Sequence, residues 1–170
     1  MTPSISFIVP FLNEEKTLSE LFDRIEASLD DVLDDDETFE VIFVDDGSTD
    51  GSVDEVEELI EIHEEAKLLQ LTGNFGKSAA LAAGFDHAKG RLVFTLDADL
   101  QDDPKEIPRF IEKLDEGYDV VSGYKQVRHD PFTKVIGSRV FNGLVRYLTG
   151  IKLHDVNCGF KAYRSTVLEK

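Results

Sequence analysis

Apolar runs of strand length recur along the chain at Ser4 to Phe11, Phe39 to Val44, Lys67 to Leu71 and Arg91 to Leu96, each giving way abruptly to a polar or glycine-bearing stretch. Between them the apolar period changes. Leu18, Leu21, Phe22, Ile25 and Leu29 follow the first run at helical spacing, and Val56, Leu59 and Ile60 form a stripe after the second, where Ser52 and Glu55 have the spacing of a capping box. The small-residue segment Ser78 to Ala88 reads as another helix, closed by Gly90. Pro104 opens a further helix before a fifth strand at Asp119 to Ser122. Such alternation predicts an α/β, Rossmann-like three-layer sandwich whose central sheet is mostly parallel and covered on both faces.

Ligands of such sheets bind beyond the carboxyl ends of the strands. The polar motifs fall there: Asn13 and Glu14, Asp45 and Asp46, Gly73 to Lys77, and Asp97 to Gln101. Asp97 and Asp99, one residue apart, would point the same way if the strand stayed extended to its end. Two hard oxygen ligands suit Mg2+ or Mn2+, with diphosphate oxygens filling the remaining positions and Gln101 offering a neutral one. The plainer alternative is a polar strand end followed by a capped turn. The glycines around Asp46 and Asn74 read first as turn formers, and glycine also lets backbone approach a ligand closely.

A chain of 170 residues with 41% hydrophobic content can bury one core. It has no run long enough to cross a bilayer and no basic signal-peptide start, so it reads as soluble and cytoplasmic. The single cysteine, Cys158, reads as a buried thiol, and the four histidines share no ligand spacing. A net charge of −17 argues against nucleic acid as a partner. Against that background, Lys125, Arg128, Lys134, Arg139, Arg146 and Lys152 lie in a segment whose sole acidic residue is Asp130. Within it, Val135, Ile136, Val140, Phe141, Leu144, Val145 and Leu148 trace a wide helical stripe, suited to core packing or to a membrane surface. The last residues read as the start of a new helix, as in a chain cut short.

A nucleotide sugar presents a base, a ribose and a diphosphate. Backbone groups near Pro10 to Asn13, with Glu14 and Asp46, suit base and ribose; Asp97 and Asp99 suit the diphosphate through a metal. Two other readings fit less well. Gly76-Lys77-Ser78 imitates a phosphate-binding loop, but the position that needs its first glycine is Leu71. A phosphoacceptor receiver domain would carry its acidic pair after the first strand, whereas Asp45 and Asp46 follow the second.

With these motifs assembled, the chain resembles the inverting family 2 glycosyltransferases of GT-A fold, and among them the dolichol-phosphate mannosyltransferase-like enzymes that load polyprenyl phosphates. The resemblance runs through Val9-Pro10-Phe11-Leu12-Asn13-Glu14-Glu15, Val44-Asp45-Asp46-Gly47-Ser48-Thr49-Asp50-Gly51, Asn74-Phe75-Gly76-Lys77, Asp97-Ala98-Asp99-Leu100-Gln101 and Asn157-Cys158-Gly159-Phe160-Lys161. It implies a nucleotide site drawn from Pro10, Leu12, Asn13, Glu14, Asp45, Asp46, Asn74, Lys77, Asp97 and Ala98, in a nucleotide-sugar half over residues 1–123. It also implies Mg2+ or Mn2+ at Asp97, Asp99 and Gln101. Residues 124–170 become the acceptor half, with Lys125, Arg128 and Arg139 toward an acceptor phosphate. Catalytic duties fall to Asp99, Arg139 and Asp155, the last as a base or an acceptor-orienting carboxylate.

Two departures stand out. Gly73 occupies a position where bacterial relatives often have arginine, and Gly123-Tyr124-Lys125 replaces a Gly-x-Arg, giving up the bidentate fork. The expected activity is transfer of a hexose from a UDP- or GDP-sugar to a polyprenyl phosphate on the cytoplasmic side of a membrane. The alternatives are a same-fold enzyme acting on a saccharide or protein hydroxyl, and a noncatalytic nucleotide-sugar-binding domain.

Overall fold

The computed structural model describes residues 2–30, 32–34, 36–123 and 158–168. Along the chain come β1 (Ile5–Phe11), α1 (Leu18–Leu29), β2 (Phe39–Asp45), α2 (Ser52–Ile62), β3 (Ala66–Gln70), α3 (Lys77–His87) and β4 (Leu92–Thr95). A 3-10 turn at Pro104–Glu106 then leads into α4 (Ile107–Asp115), followed by β5 (Val120–Ser122) and β6 (Lys161–Arg164). The sheet order is β3-β2-β1-β4-β6-β5, with β1 to β4 parallel and β6 antiparallel to both β4 and β5.

All seven residues of β1 are buried, as expected of a central strand with helices on both faces. Its alternation divides the core. Ile5, Phe7, Val9 and Phe11 join the apolar stripes of α1, α2 and α4, while Ile8 meets Ala80 of α3 with Ile42, Val44 and Val93. The three layers are therefore α1, α2 and α4, then the sheet, then α3. α3 lies close because its contact residues are small: a Cβ on Gly84 would collide with Cγ2 of Ile8.

Three local expectations are corrected. Gly90 does not close α3, which ends at His87 with Ala88 as its C-cap; it is needed because a Cβ there would lie 2.5 Å from the Ser6 amide nitrogen. No capping box forms at α2, whose N-cap is Gly51 without a side-chain cap. β6 has no counterpart among the predicted strands. It is four residues long and owes its identity to pairing with β4 and β5, which local periodicity does not report. The predicted helix over Phe132 to Leu148 lies outside the described residues. Among those described, no helix is long and apolar enough to cross a membrane.

Candidate functional site

Because β1 to β4 are parallel, their carboxyl ends share one edge, and the loops leaving them are tied together in sequence. Asn13, at φ 58°, accepts the Thr49 amide at 2.8 Å, and its own amide donates to the Ser48 hydroxyl at 3.0 Å. The Ser52 hydroxyl donates to Asp50 at 2.5 Å and accepts the Glu14 amide at 2.8 Å, while Glu55 accepts from the Ser19 hydroxyl. The two residues of the expected capping box thus stitch α2 to the β1 loop and to α1. Asp45 accepts the Ser48 amide at 2.8 Å, tightening the turn after β2.

The next tie is made by Asp46, which is buried and accepts the Phe75 amide at 2.7 Å and the Gly76 amide at 2.9 Å. Gly47 packs the same two loops together: it has φ +85°, and a Cβ on it would stand 2.9 Å from the Asn74 nitrogen. From that anchored loop α3 begins, and the ammonium of Lys77 pairs with the Asp97 carboxylate beyond β4.

These loops enclose a cleft of about 370 Å³ lined by Pro10, Phe11, Leu12, Glu14, Asp46, Asn74, Gly76, Lys77, Asp97, Ala98 and Asp99. Eight of the ten residues expected around the nucleotide are here. Asn13, Asp45 and Gln101 lie outside this lining, the first two each with a side-chain oxygen accepting an amide of the β2 turn. Phe11 and Gly76, absent from the expected contacts, also line it; Phe11 lies within the Pro10 to Asn13 segment, and Gly76 is one of the glycines around Asn74.

Asp97 and Asp99 do not owe their common direction to strand geometry. β4 stops at Thr95, so alternation along an extended strand does not align them. A turn brings both to the cleft, with Leu100 at φ 58° and the Asp99 carboxylate accepting the Gln101 amide at 3.1 Å. Asp97 is half-buried and Asp99 exposed.

The donor set fits a shared cation and not a closed cage. Among the described residues no cluster of three or more His, Cys, Asp or Glu could hold a metal ion by itself. Mg2+ and similar ions are commonly held by one or two carboxylates together with phosphate oxygens and waters. Two carboxylates lining one cleft match that mode, and the Asp97 carboxylate is paired with the Lys77 ammonium.

Lys125, Arg128, Arg139 and Asp155 lie outside the described residues. The flanks of that segment are placed, however. β5, parallel to β4, ends at Ser122, and the Gly123 amide donates to the Phe160 carbonyl at 2.9 Å. The chain therefore leaves the sheet, and returns to it, at the edge that carries the cleft.

Residues 6–170 match the family model described as Glycosyl transferase family 2. The chain is 41% identical over 166 residues to an undecaprenyl-phosphate 4-deoxy-4-formamido-L-arabinose transferase of Edwardsiella ictaluri, covering 97% of this chain and 50% of that protein. A transferase of the same name from Pseudomonas aeruginosa is 40% identical, with 97% and 48% covered. The chain thus spans about half the length of the curated relatives it matches. Among solved structures, a mannosyltransferase from Pyrobaculum calidifontis in complex with GDP-Man and Mn2+ superposes with a TM-score of 0.68 at 26% identity, covering 99% of this chain and 46% of that one. Glucosyl-3-phosphoglycerate synthase from Mycobacterium tuberculosis shares the fold, with a TM-score of 0.72 at 23% identity and 97% and 58% covered. The mostly parallel sheet and its cleft, the family match over nearly the whole chain and the relatives near 40% identity converge: this chain belongs to glycosyl transferase family 2 and has the GT-A fold.

Proposed function

We propose that the cleft binds a nucleoside diphosphate sugar with Mg2+ or Mn2+ and that the intact protein transfers its glycosyl group, with inversion, to a polyprenyl phosphate. The observation that carries this reading is the convergence of Asp97, Asp99 and Lys77 on one cleft with Glu14 and Asp46. Relatives named for transfer to undecaprenyl phosphate support the acceptor, and a neighbour crystallised with GDP-Man and Mn2+ supports the donor and the metal. The relatives' names specify a formamido-arabinose, so the proposal is for a glycosyl group and is not restricted to a hexose.

Asp97 and Asp99 would hold the cation, which when bound neutralises the diphosphate and stabilises it as a leaving group. Lys77 supplies a second positive charge on the same side of the cleft. Glu14 and Asp46 offer acceptors to base and ribose groups, and Asp46 holds the Phe75–Gly76 backbone in place while doing so. An acceptor phosphate oxygen attacks the anomeric carbon as the bond to the diphosphate breaks. A phosphate monoester is largely ionised at neutral pH, so the attack needs little help from a general base. We assign orientation of that phosphate to Lys125, Arg128 and Arg139, and to Asp155 the part of a base or an acceptor-orienting carboxylate, on the cytoplasmic face of a membrane.

The test is transfer by the intact protein from UDP- and GDP-sugars to undecaprenyl phosphate in vesicles. Metal-dependent formation of lipid-linked sugar is expected. Transfer to saccharide or protein hydroxyls alone would overturn the acceptor, and nucleotide-sugar binding without any turnover would make the domain noncatalytic.

A further inference from the structure

The return to the sheet through Cys158, Gly159 and Phe160 passes directly against Asp97. A Cβ on Gly159 would collide with Oδ1 of Asp97 and stand 2.6 Å from both its Cγ and its Oδ2. Real Cβ atoms essentially never come within 3.0 Å of another group, so something would have to move. Glycine is not needed here for its backbone freedom: Gly47, Gly76 and Gly117 have positive φ, and Gly159 does not. Gly76 makes the contrast clear, because a Cβ there would meet nothing. At 159 the requirement is space for one carboxylate.

The backbone has little room to retreat. Its flanking side chains, Cys158 and Phe160, are each 4% exposed, and the Phe160 ring stacks on Phe110 with centroids 4.3 Å apart. The Thr95 hydroxyl donates to the Gly159 carbonyl at 2.7 Å, fixing this turn to the end of β4 two residues before Asp97. The carboxylate is the mobile partner, since it is half-buried and its ion pair among the described residues is with the partly exposed ammonium of Lys77.

We propose that Gly159 is a positioning residue that sets where the Asp97 carboxylate stands in the cleft, and so tunes metal-linked binding of the nucleoside diphosphate. The inference rests on the reading of Asp97 as a metal-linked carboxylate. Orienting contacts behind a metal ligand are typically worth 10–100-fold in affinity.

The experiment combines Gly159→Ala, Asp97→Ala and the double variant. Thermal unfolding without nucleotide reads the contact directly. Gly159→Ala should lower Tm in the parent protein and have little effect in the Asp97→Ala background, where the colliding atoms are gone. An equal loss in both backgrounds overturns the proposal. If Gly159→Ala alone fails to fold, recovery of folding in the double variant supports it, and failure of both overturns it. Titration of UDP and GDP with and without Mn2+ then reads the functional arm. Folded Gly159→Ala should lose about 10–100-fold in Mn2+-dependent affinity while metal-free nucleoside binding is unchanged; unchanged Mn2+-dependent affinity overturns the proposal. If instead Asp97→Ala leaves Mn2+-dependent affinity intact, it is the reading of the site that fails, and the unfolding cycle still decides whether Gly159 places the carboxylate.

Discussion

The carboxylate of Asp46 is bonded to the Gly76 amide, 30 positions away, at 2.9 Å, and this bond joins the exit of β2 to the start of α3. The same carboxylate lines the cleft, so one group both ties two loops together and forms part of the cleft wall. Asp46→Ala would leave the Phe75 and Gly76 amides without that acceptor. A stability loss of about 1–3 kcal/mol is expected, the range for stranded buried polar partners. Urea unfolding of the ligand-free protein checks this, and an unchanged midpoint would mean that the tie is not structural. Nucleoside affinity without metal should fall by a similar energy.

Asp99 carries less structure. It is exposed and accepts the Gln101 amide, a bond that asparagine could retain. Asp99→Asn should therefore keep the unfolding midpoint yet weaken Mn2+-linked UDP or GDP binding by about tenfold or more, about 1.4 kcal/mol. Calorimetry with and without chelator makes the measurement. Loss of folding with intact metal-linked binding would return Asp99 to the role of a turn residue.

Lys77 pairs with Asp97 and is itself half-exposed, so removing it should cost little stability. Lys77→Met should reduce affinity for nucleoside diphosphate while sparing the nucleoside, as the proposed role of the ammonium toward the phosphates requires. Equal loss for both ligands would place Lys77 at the base or ribose.

At the opposite end of the strands, Glu40 is buried on β2, accepting from Ser6 and Lys67, both at 2.5 Å, and from the Lys89 amide at 2.9 Å. Burial pushes its carboxyl up, but hydrogen bonds from Lys67, Ser6 and Lys89 overcome that and hold it below the ordinary glutamate value. A folded-state value below the unfolded one means the stabilisation is present above the ordinary glutamate range and is lost as pH falls through the lowered value. Glu40→Gln should cost about 1–3 kcal/mol at neutral pH and flatten the acid limb of the stability profile. Urea midpoints across that range decide it; an acid limb identical to that of the parent would exclude Glu40.

Acceptor recognition can be probed through Arg139 in the intact protein. Arg139→Ala should impair transfer to polyprenyl phosphate far more than donor binding, and Arg139→Lys should recover only part, because lysine lacks the two-pronged donor geometry. Parallel loss of donor affinity would move Arg139 into the nucleotide site.

Strand and helix identity was legible wherever a local period was strong. The all-buried run of β1 and the stripe Leu18, Leu21, Phe22, Ile25 and Leu29 announce themselves because side-chain direction repeats every two residues in a strand and about every 3.6 in a helix. Placing the polar motifs at one edge follows from parallel order alone. What required the tertiary structure were meetings between distant positions: Asp46 with Phe75 and Gly76, Asn13 with Thr49, and Gly159 with Asp97. The composition of these loops marks them as polar, but whether a given aspartate faces ligand or backbone depends on which loop is packed beside it. That is why the Asn13 and Asp45 side chains are found bonded to the β2 turn, and why β6 emerged only through pairing with its neighbours. Local periodicity encodes which way a side chain points; only the packed chain decides what it finds there.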